Sequence, residues 1–149
     1  MNNYNLDPNI WGHAGWKIIY AIGYGYPDNP TLEEQVQVYN YFTSLSYLLP
    51  CGDCRNHYKD NLLKYPLINN VIRSRTSLLN WINTVHNDVN IRLHKQPITL
   101  NDALNKYISN DNKYIQNNKQ YSFIKNILIL IILLLIVVKV HDFGKFLPV

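Results

Sequence analysis

Helix-start signals punctuate the first hundred residues, and between them apolar residues recur at three- and four-residue intervals. Asp7-Pro8 reads as an N-cap followed by proline at the first helical position. Ile10, Trp11, Gly15, Ile18, Ile19 and Ile22 then follow at helical spacing, and Gly23-Tyr-Gly-Tyr-Pro27 ends the run. Thr31-Leu-Glu-Glu34 is a capping box, because the Thr oxygen and the Glu carboxylate each satisfy a backbone N–H of the other. It opens a second helix with Leu32, Val36, Tyr39, Phe42, Leu45 and Leu49 on its apolar side. Pro50 stops that helix and starts a third, near Cys51 to Leu63, which Pro66 closes. A fourth runs from about Thr76 to His94 with Leu78, Leu79, Ile82, Val85, Val89 and Leu93 as its stripe. Thr99-Leu-Asn-Asp102 caps a short fifth. No stretch alternates as a half-buried strand does. The expectation is an all-α domain over residues 7–108, a four-helix bundle plus a short fifth helix.

A chain of 149 residues holds one such domain with a sizeable core. Its 14 Lys and Arg against 10 Asp and Glu give a formal charge of +4. Those charges are scattered, and Lys113, Lys119 and Lys125 are interrupted by Asn and Tyr. A nucleic-acid surface needs a basic face interleaved with stacking aromatics, so none is expected. Residues 109–122 are polar and rich in Asn and Lys, which reads as a linker. Ile127–Val138 then contains no polar residue. It is shorter than the roughly 20 residues that span a bilayer. With Phe123, Ile124 and Val140 added, and Lys125 and Lys139 snorkelling to the headgroups, residues 123–140 are long enough for a transmembrane helix and membrane anchor. A buried sixth helix is the alternative. Lysines on both flanks leave the orientation open. Met1–Leu6 is polar and no apolar core follows, so no signal peptide is expected.

The chain has two cysteines, Cys51 and Cys54, in Pro50-Cys-Gly-Asp-Cys54. Two cannot staple a secreted scaffold. A c-type haem site needs His after the second Cys, where Arg55 stands. Zinc needs two more ligands, and His86 and His94 are too far apart for finger spacing, so no metal site is expected. A thioredoxin-like site needs βαβ context. A redox disulfide and an inert pair remain. Placement favours the former, since a helix start stabilises a thiolate and CxxC spacing brings the sulfurs into bonding reach. A lone redox pair must hand its electrons onward, and with no third cysteine the acceptor would be a bound cofactor.

Residues 81–95, WINTVHNDVNIRLHK, offer a lining for one. His86, Asn90 and Leu93 share a helical face with Asn87 beside them. Polar groups against an apolar stripe are costly unless paired, so the cluster is either an internal hydrogen-bond network or the wall of a heteroatom-rich ligand site. Trp11, Trp16 and Trp81 could stack on a planar ligand, and Arg92 and Lys95 could meet phosphates.

From Trp11 to about Tyr107 these elements resemble, in order, those of the Erv/ALR family of FAD-linked sulfhydryl oxidases: Gly12 and Trp16 in GHAGWKIIYAIGYGYPDNPT, then Pro-Cys-x-x-Cys, then Trp81 leading into His86-Asn87-x-Val89-Asn90-x-x-Leu93-x-Lys95. The resemblance implies a helical bundle that binds FAD non-covalently, as a homodimer. Gly12, Trp16, Tyr20, His57, Trp81, His86, Asn87, Val89, Asn90, Leu93, Lys95 and Tyr107 would be its cofactor-binding positions. Cys54 would lie against the isoalloxazine and Cys51 would face the incoming thiol. Tyr20 stands where members often carry His, and Tyr107 where many carry Trp. The absence of shuttle cysteines resembles the short forms of large DNA viruses. Together with the apolar stretch at 123–140, the expectation is a virus-encoded, membrane-anchored protein of the host cytoplasm or virion membrane; without an in-chain shuttle its thiol donor would be a thioredoxin-like protein, and the resemblance implies reduction of molecular oxygen to hydrogen peroxide. The rival reading is a catalytically inactive, membrane-tethered helical interaction protein.

Overall fold

The structure, a computed structural model, describes residues 5–109 and 123–131. The chain divides into two units, Met1–Ser109 and Asn110–Val149. In the first, four long helices, α1 (Pro8–Gly25), α2 (Leu32–Leu48), α3 (Gly52–Lys64) and α5 (Arg75–Arg92), are accompanied by two short ones, α4 (Asn69–Ile72) and α6 (Leu100–Leu104). A π-helical turn, Asn105–Ser109, continues α6. No strand occurs among the described residues.

The caps act as the sequence predicts. The Asp7 carboxylate accepts from the Asn9 N–H at 2.9 Å, and Pro8 occupies the first turn of α1, where its missing N–H costs nothing. Thr31 and Glu34 form the complete capping box of α2. Ser74 caps α5 by accepting from the Ser77 N–H. α5 packs on α1, α2 on α3, and the π-helical turn on α1. The α1–α5 crossing is close because of Gly23. A Cβ there would sit 2.5 Å from Ile82 Cδ1 and 2.9 Å from Leu79 Cδ2. Tyr26 then ties the end of α1 to the start of α5, its hydroxyl donating to the Ile72 carbonyl at 2.7 Å while Arg75 Nε donates to its own carbonyl.

The core is Tyr20, Phe42, Leu78, Ile82 and Val85, all but inaccessible, with Trp81, Tyr58 and Leu79 around them. Burying each such side chain contributes roughly 1.5–3 kcal/mol. Two stripes differ from expectation. On α2, Leu32, Val36 and Tyr39 are exposed, and the buried side is Val38, Phe42 and Ser46 with Leu45 and Leu49 beside them. α2 carries two apolar stripes about 100° apart, one residue's turn, and only one faces the bundle. On α5, Leu78, Leu79, Ile82 and Val85 are buried as expected, but Leu93 is exposed because the helix has ended before it. His94 adopts φ 56°, and the Lys95 and His94 N–H groups donate back to the Asn90 and Ile91 carbonyls, a Schellman motif.

In the second unit, residues 123–131 are helical, and Phe123, Ile124 and residues 127–131 are exposed apolar side chains. No helix among the described residues is long and apolar enough to cross a membrane. The expected anchor at 123–140 is therefore described only in part, since residues 132–140 lie outside the described residues, as does the expected linker after Ser109.

Candidate active site

Cys51 is the N-cap of α3, not its first helical residue, and Cys54 lies one turn in. The two form a disulfide across a Cα separation of 5.1 Å. Cys51 Sγ also accepts from the Cys54 N–H at 3.1 Å. That donor, at the positive end of the helix, would stabilise negative charge on Cys51 once the bond is reduced. Cys51 is only 5% exposed, whereas Cys54 is half-buried. The cover comes from the N-terminal segment. Leu6 N–H donates to the Pro50 carbonyl at 2.9 Å, and Asn5 Oδ1 accepts from the Gly52 N–H at 2.8 Å, so residues 5–6 straddle Cys51. Trp11 Nε1 holds the segment by donating to the Leu6 carbonyl at 3.2 Å.

Trp16, Tyr20, His86 and Tyr107 come together in one aromatic cluster. The Trp16 and His86 rings stack at 4.0 Å between centroids, and Tyr20 lies parallel to Tyr107 at 5.3 Å. Burial, with the charges of Lys106 and Lys95 adding to it, pushes the His86 imidazole down to about 4, so it is neutral near pH 7. Burial likewise pushes the Tyr20 phenol well above its ordinary value. The Tyr20 hydroxyl is 3.1 Å from His86 Nδ1 and donates to Asn83 Oδ1 at 3.0 Å.

Asn87 and Asn90 divide their duties. The Asn87 amide is fully engaged with the following loop: Nδ2 donates to the Ile98 carbonyl and Oδ1 accepts from the Ile98 N–H, both at 2.9 Å. Asn90 is buried and reaches Asn87 Oδ1 at 3.4 Å. Trp81 Nε1 donates to the Tyr65 carbonyl, and its ring meets Phe42 at 5.3 Å between centroids, nearly perpendicular. Val89 is half-buried, Gly12 has open space where a Cβ would be, and His57, Leu93 and Lys95 are exposed. Arg92 Nη2 donates to Asp88 and Asn61, on the α3 side, where Lys64 also meets Asp88 at 2.7 Å, while its buried Nη1 has no hydrogen-bond partner among the described residues. The Lys64 ammonium holds the Asp88 carboxyl below its usual range.

A small apolar cavity of about 10 Å³ lies where the four long helices meet, lined by Trp16, Ile19, Phe42, Tyr58, Trp81, Ile82 and Val85. Trp81 also lines an open groove of about 510 Å³ at the far end of α3 from the disulfide, beside Lys64, Tyr65 and Asn80. Sequence reasoning missed Asn5, Leu6, Asn83 and Ile98. Asn83 carried one signal, a polar residue three before His86 and therefore on its face of the helix; the others carried none.

Residues 13–113 match the Erv1/Alr family. A probable FAD-linked sulfhydryl oxidase of Acanthamoeba polyphaga mimivirus is 42% identical over 99 residues, covering 66% of this chain and 69% of its own length. The FAD-linked sulfhydryl oxidase ERV2 of Saccharomyces cerevisiae is 34% identical over 84 residues, 56% of this chain and 41% of that protein. Among solved structures, the yeast Erv1 core superposes with a TM-score of 0.62 at 20% identity, covering 72% of this chain and 89% of that one, a likeness of fold. With a match of that extent, and with the helical architecture it calls for, this chain belongs to the Erv1/Alr family.

Proposed function

We propose that this chain is an FAD-linked sulfhydryl oxidase that makes disulfides in protein substrates. The observation that carries the reading is the Cys51–Cys54 disulfide at the N-terminus of a helix in a bundle that also buries a neutral histidine among aromatic rings. The donor set suits FAD. Trp16, Tyr58 and Trp81 offer aromatic faces around the apolar central cavity, and His86, stacked on Trp16, offers ring nitrogens behind that face. The cavity as it stands is smaller than an isoalloxazine, so admitting the ring requires these side chains to part, and Trp16, half-buried and stacked on His86 at 4.0 Å, is the one we expect to turn.

A substrate thiolate attacks Cys51 Sγ, forming a mixed disulfide and expelling the Cys54 thiolate. A second substrate thiolate attacks the substrate sulfur, and the oxidised product leaves as the Cys51 thiolate is released, stabilised by the Cys54 N–H. The two electrons now reside on the reduced cysteine pair. Held by Trp16, His86 and their neighbours, FAD would supply a two-electron acceptor that lets the cysteine pair return to the disulfide, with oxygen as the terminal oxidant and hydrogen peroxide as the product. The chain's own contribution is to hold the two sulfurs at the helix start and to keep water from the cofactor face. Because Asn5 and Leu6 cover Cys51, the segment must leave for a thiol to enter. The scheme asks only for a pair of donor thiols; with Cys51 and Cys54 as the two cysteines of this sequence, no in-chain shuttle supplies them, and a thioredoxin-like protein with its own CxxC is the physiological donor we propose.

Exposed apolar side chains on α1 and α2, among them Ile10, Ile18, Leu32 and Val36, support pairing of two copies, which light scattering at two concentrations tests. Attachment to a membrane through 123–140 rests on the apolar sequence and on its helical start at 123–131; loss of membrane fractionation on deleting 123–149 is the expected result. The decisive test of function is spectral. Purified protein should be yellow, and dithiothreitol should drive peroxide formation. Folded protein that stays colourless with added FAD defeats the reading.

A further inference from the structure

We propose that Asn83 and Tyr20 lock His86 in its Nδ1–H tautomer, leaving Nε2 as a bare acceptor for a hydroxyl or amino donor of the bound ligand. The inference rests on the flavin reading for the identity of that ligand, but its first step is independent of it.

The lock can be followed atom by atom. The Ile98 carbonyl can only accept, so the Asn83 amide, 3.3 Å away, must turn Nδ2 toward it. The same carbonyl accepts from Asn87 Nδ2, whose orientation is fixed in turn by the Ile98 N–H on Oδ1. With Nδ2 committed, Asn83 presents Oδ1 to the Tyr20 hydroxyl at 3.0 Å, and a carbonyl-type oxygen again only accepts. The phenol has one proton and gives it to Asn83. It can therefore meet His86 Nδ1, 3.1 Å away, only as an acceptor, and Nδ1 must carry the hydrogen. A neutral imidazole has one N–H, so Nε2 is left with a lone pair. No hydrogen bond from the described residues reaches it.

This arrangement is selective. FAD offers donors in its adenine amino group, its sugar and ribityl hydroxyls and its ring imide; its phosphates and ring carbonyls only accept and are excluded as partners of Nε2. Asn83 is thus a positioning residue that acts through Tyr20, and Tyr20 does its work through its hydroxyl and not its ring.

Long-range ¹H–¹⁵N spectra of the full chain without FAD, with the ring assigned by His86→Gln, read the tautomer directly. The expected result is Nδ1–H in the wild type. Tyr20→Phe, which keeps the ring, and Asn83→Ala, which frees the phenol proton to turn to Nδ1, should both shift His86 toward Nε2–H. FAD affinity, followed by flavin fluorescence, should then fall about tenfold in each, as one buried hydrogen bond is replaced by two facing donors. An Nε2–H wild type, a tautomer unmoved by Asn83→Ala, or a shifted tautomer with unchanged affinity overturns the proposal. A wild type that shows Nδ1–H yet binds no FAD supports the lock and defeats the flavin reading instead.

Discussion

At the disulfide turn the reacting atoms are three residues apart, whereas at the His86 cluster they are brought together across 63 and 66 residues. The turn needs only a proline, a helix start and CxxC spacing, all of which are local. The cluster needs α1 and α5 to cross closely, which depends on Gly23 making room for Ile82 and Leu79. The turn is accordingly a module that any helix start could carry, and the cluster is a property of the whole bundle. Perturbations should separate the two.

The largest effect falls on the turn. Cys54→Ser should retain the flavin spectrum and reduce thiol-dependent oxygen consumption to background; turnover that survives would make the disulfide a structural staple. Acid should find the cluster next. His86 has a folded value of about 4 against an ordinary 6.5, so between those values the unfolded chain binds the proton and the folded one does not. Stability is therefore full above about pH 6.5 and is lost as the pH falls toward 4, by roughly 2–3 kcal/mol from this group. Urea denaturation at pH 7 and 4.5 measures the loss, and His86→Gln should flatten it. Smaller is the strain just beyond α5: His94 holds φ 56°, so His94→Gly should add about 0.5–1 kcal/mol without changing thiol oxidation. The smallest change in stability is expected from Asn5→Ala, a few tenths of a kcal/mol for an exposed bond. It should nonetheless raise the rate with a protein thiol, by loosening the cover over Cys51. An unchanged rate would show that residues 5–6 are not a barrier and that the turn is as local in function as in structure.

This division also explains what could be read in advance. Caps, proline stops, the CxxC helix start and the α5 stripe from Leu78 to Val85 depend on neighbours in sequence, and they appear where expected. The proximity of Trp16, Tyr20, His86 and Tyr107 was accessible only through family resemblance, because no local pattern joins residues on α1, α5 and the π-helical turn. On α2 the reading found Phe42, Leu45 and Leu49 but also took in the exposed Leu32, Val36 and Tyr39, because the helix has two apolar stripes and its sequence offers no means of choosing between them. Asn5, Leu6 and Ile98 stayed invisible because they act largely through polar atoms of exposed or loop segments, where composition carries no instruction.

The tie at Ile98 has an evolutionary corollary. Its N–H and carbonyl, not its side chain, meet Asn87 and Asn83. Nineteen of the twenty amino acids supply both groups, so the joint asks nothing of the side chain, and the isoleucine is there for its separate packing against the core. Proline, already present one position earlier at Pro97, is the single substitution that would remove the N–H and sever half of it.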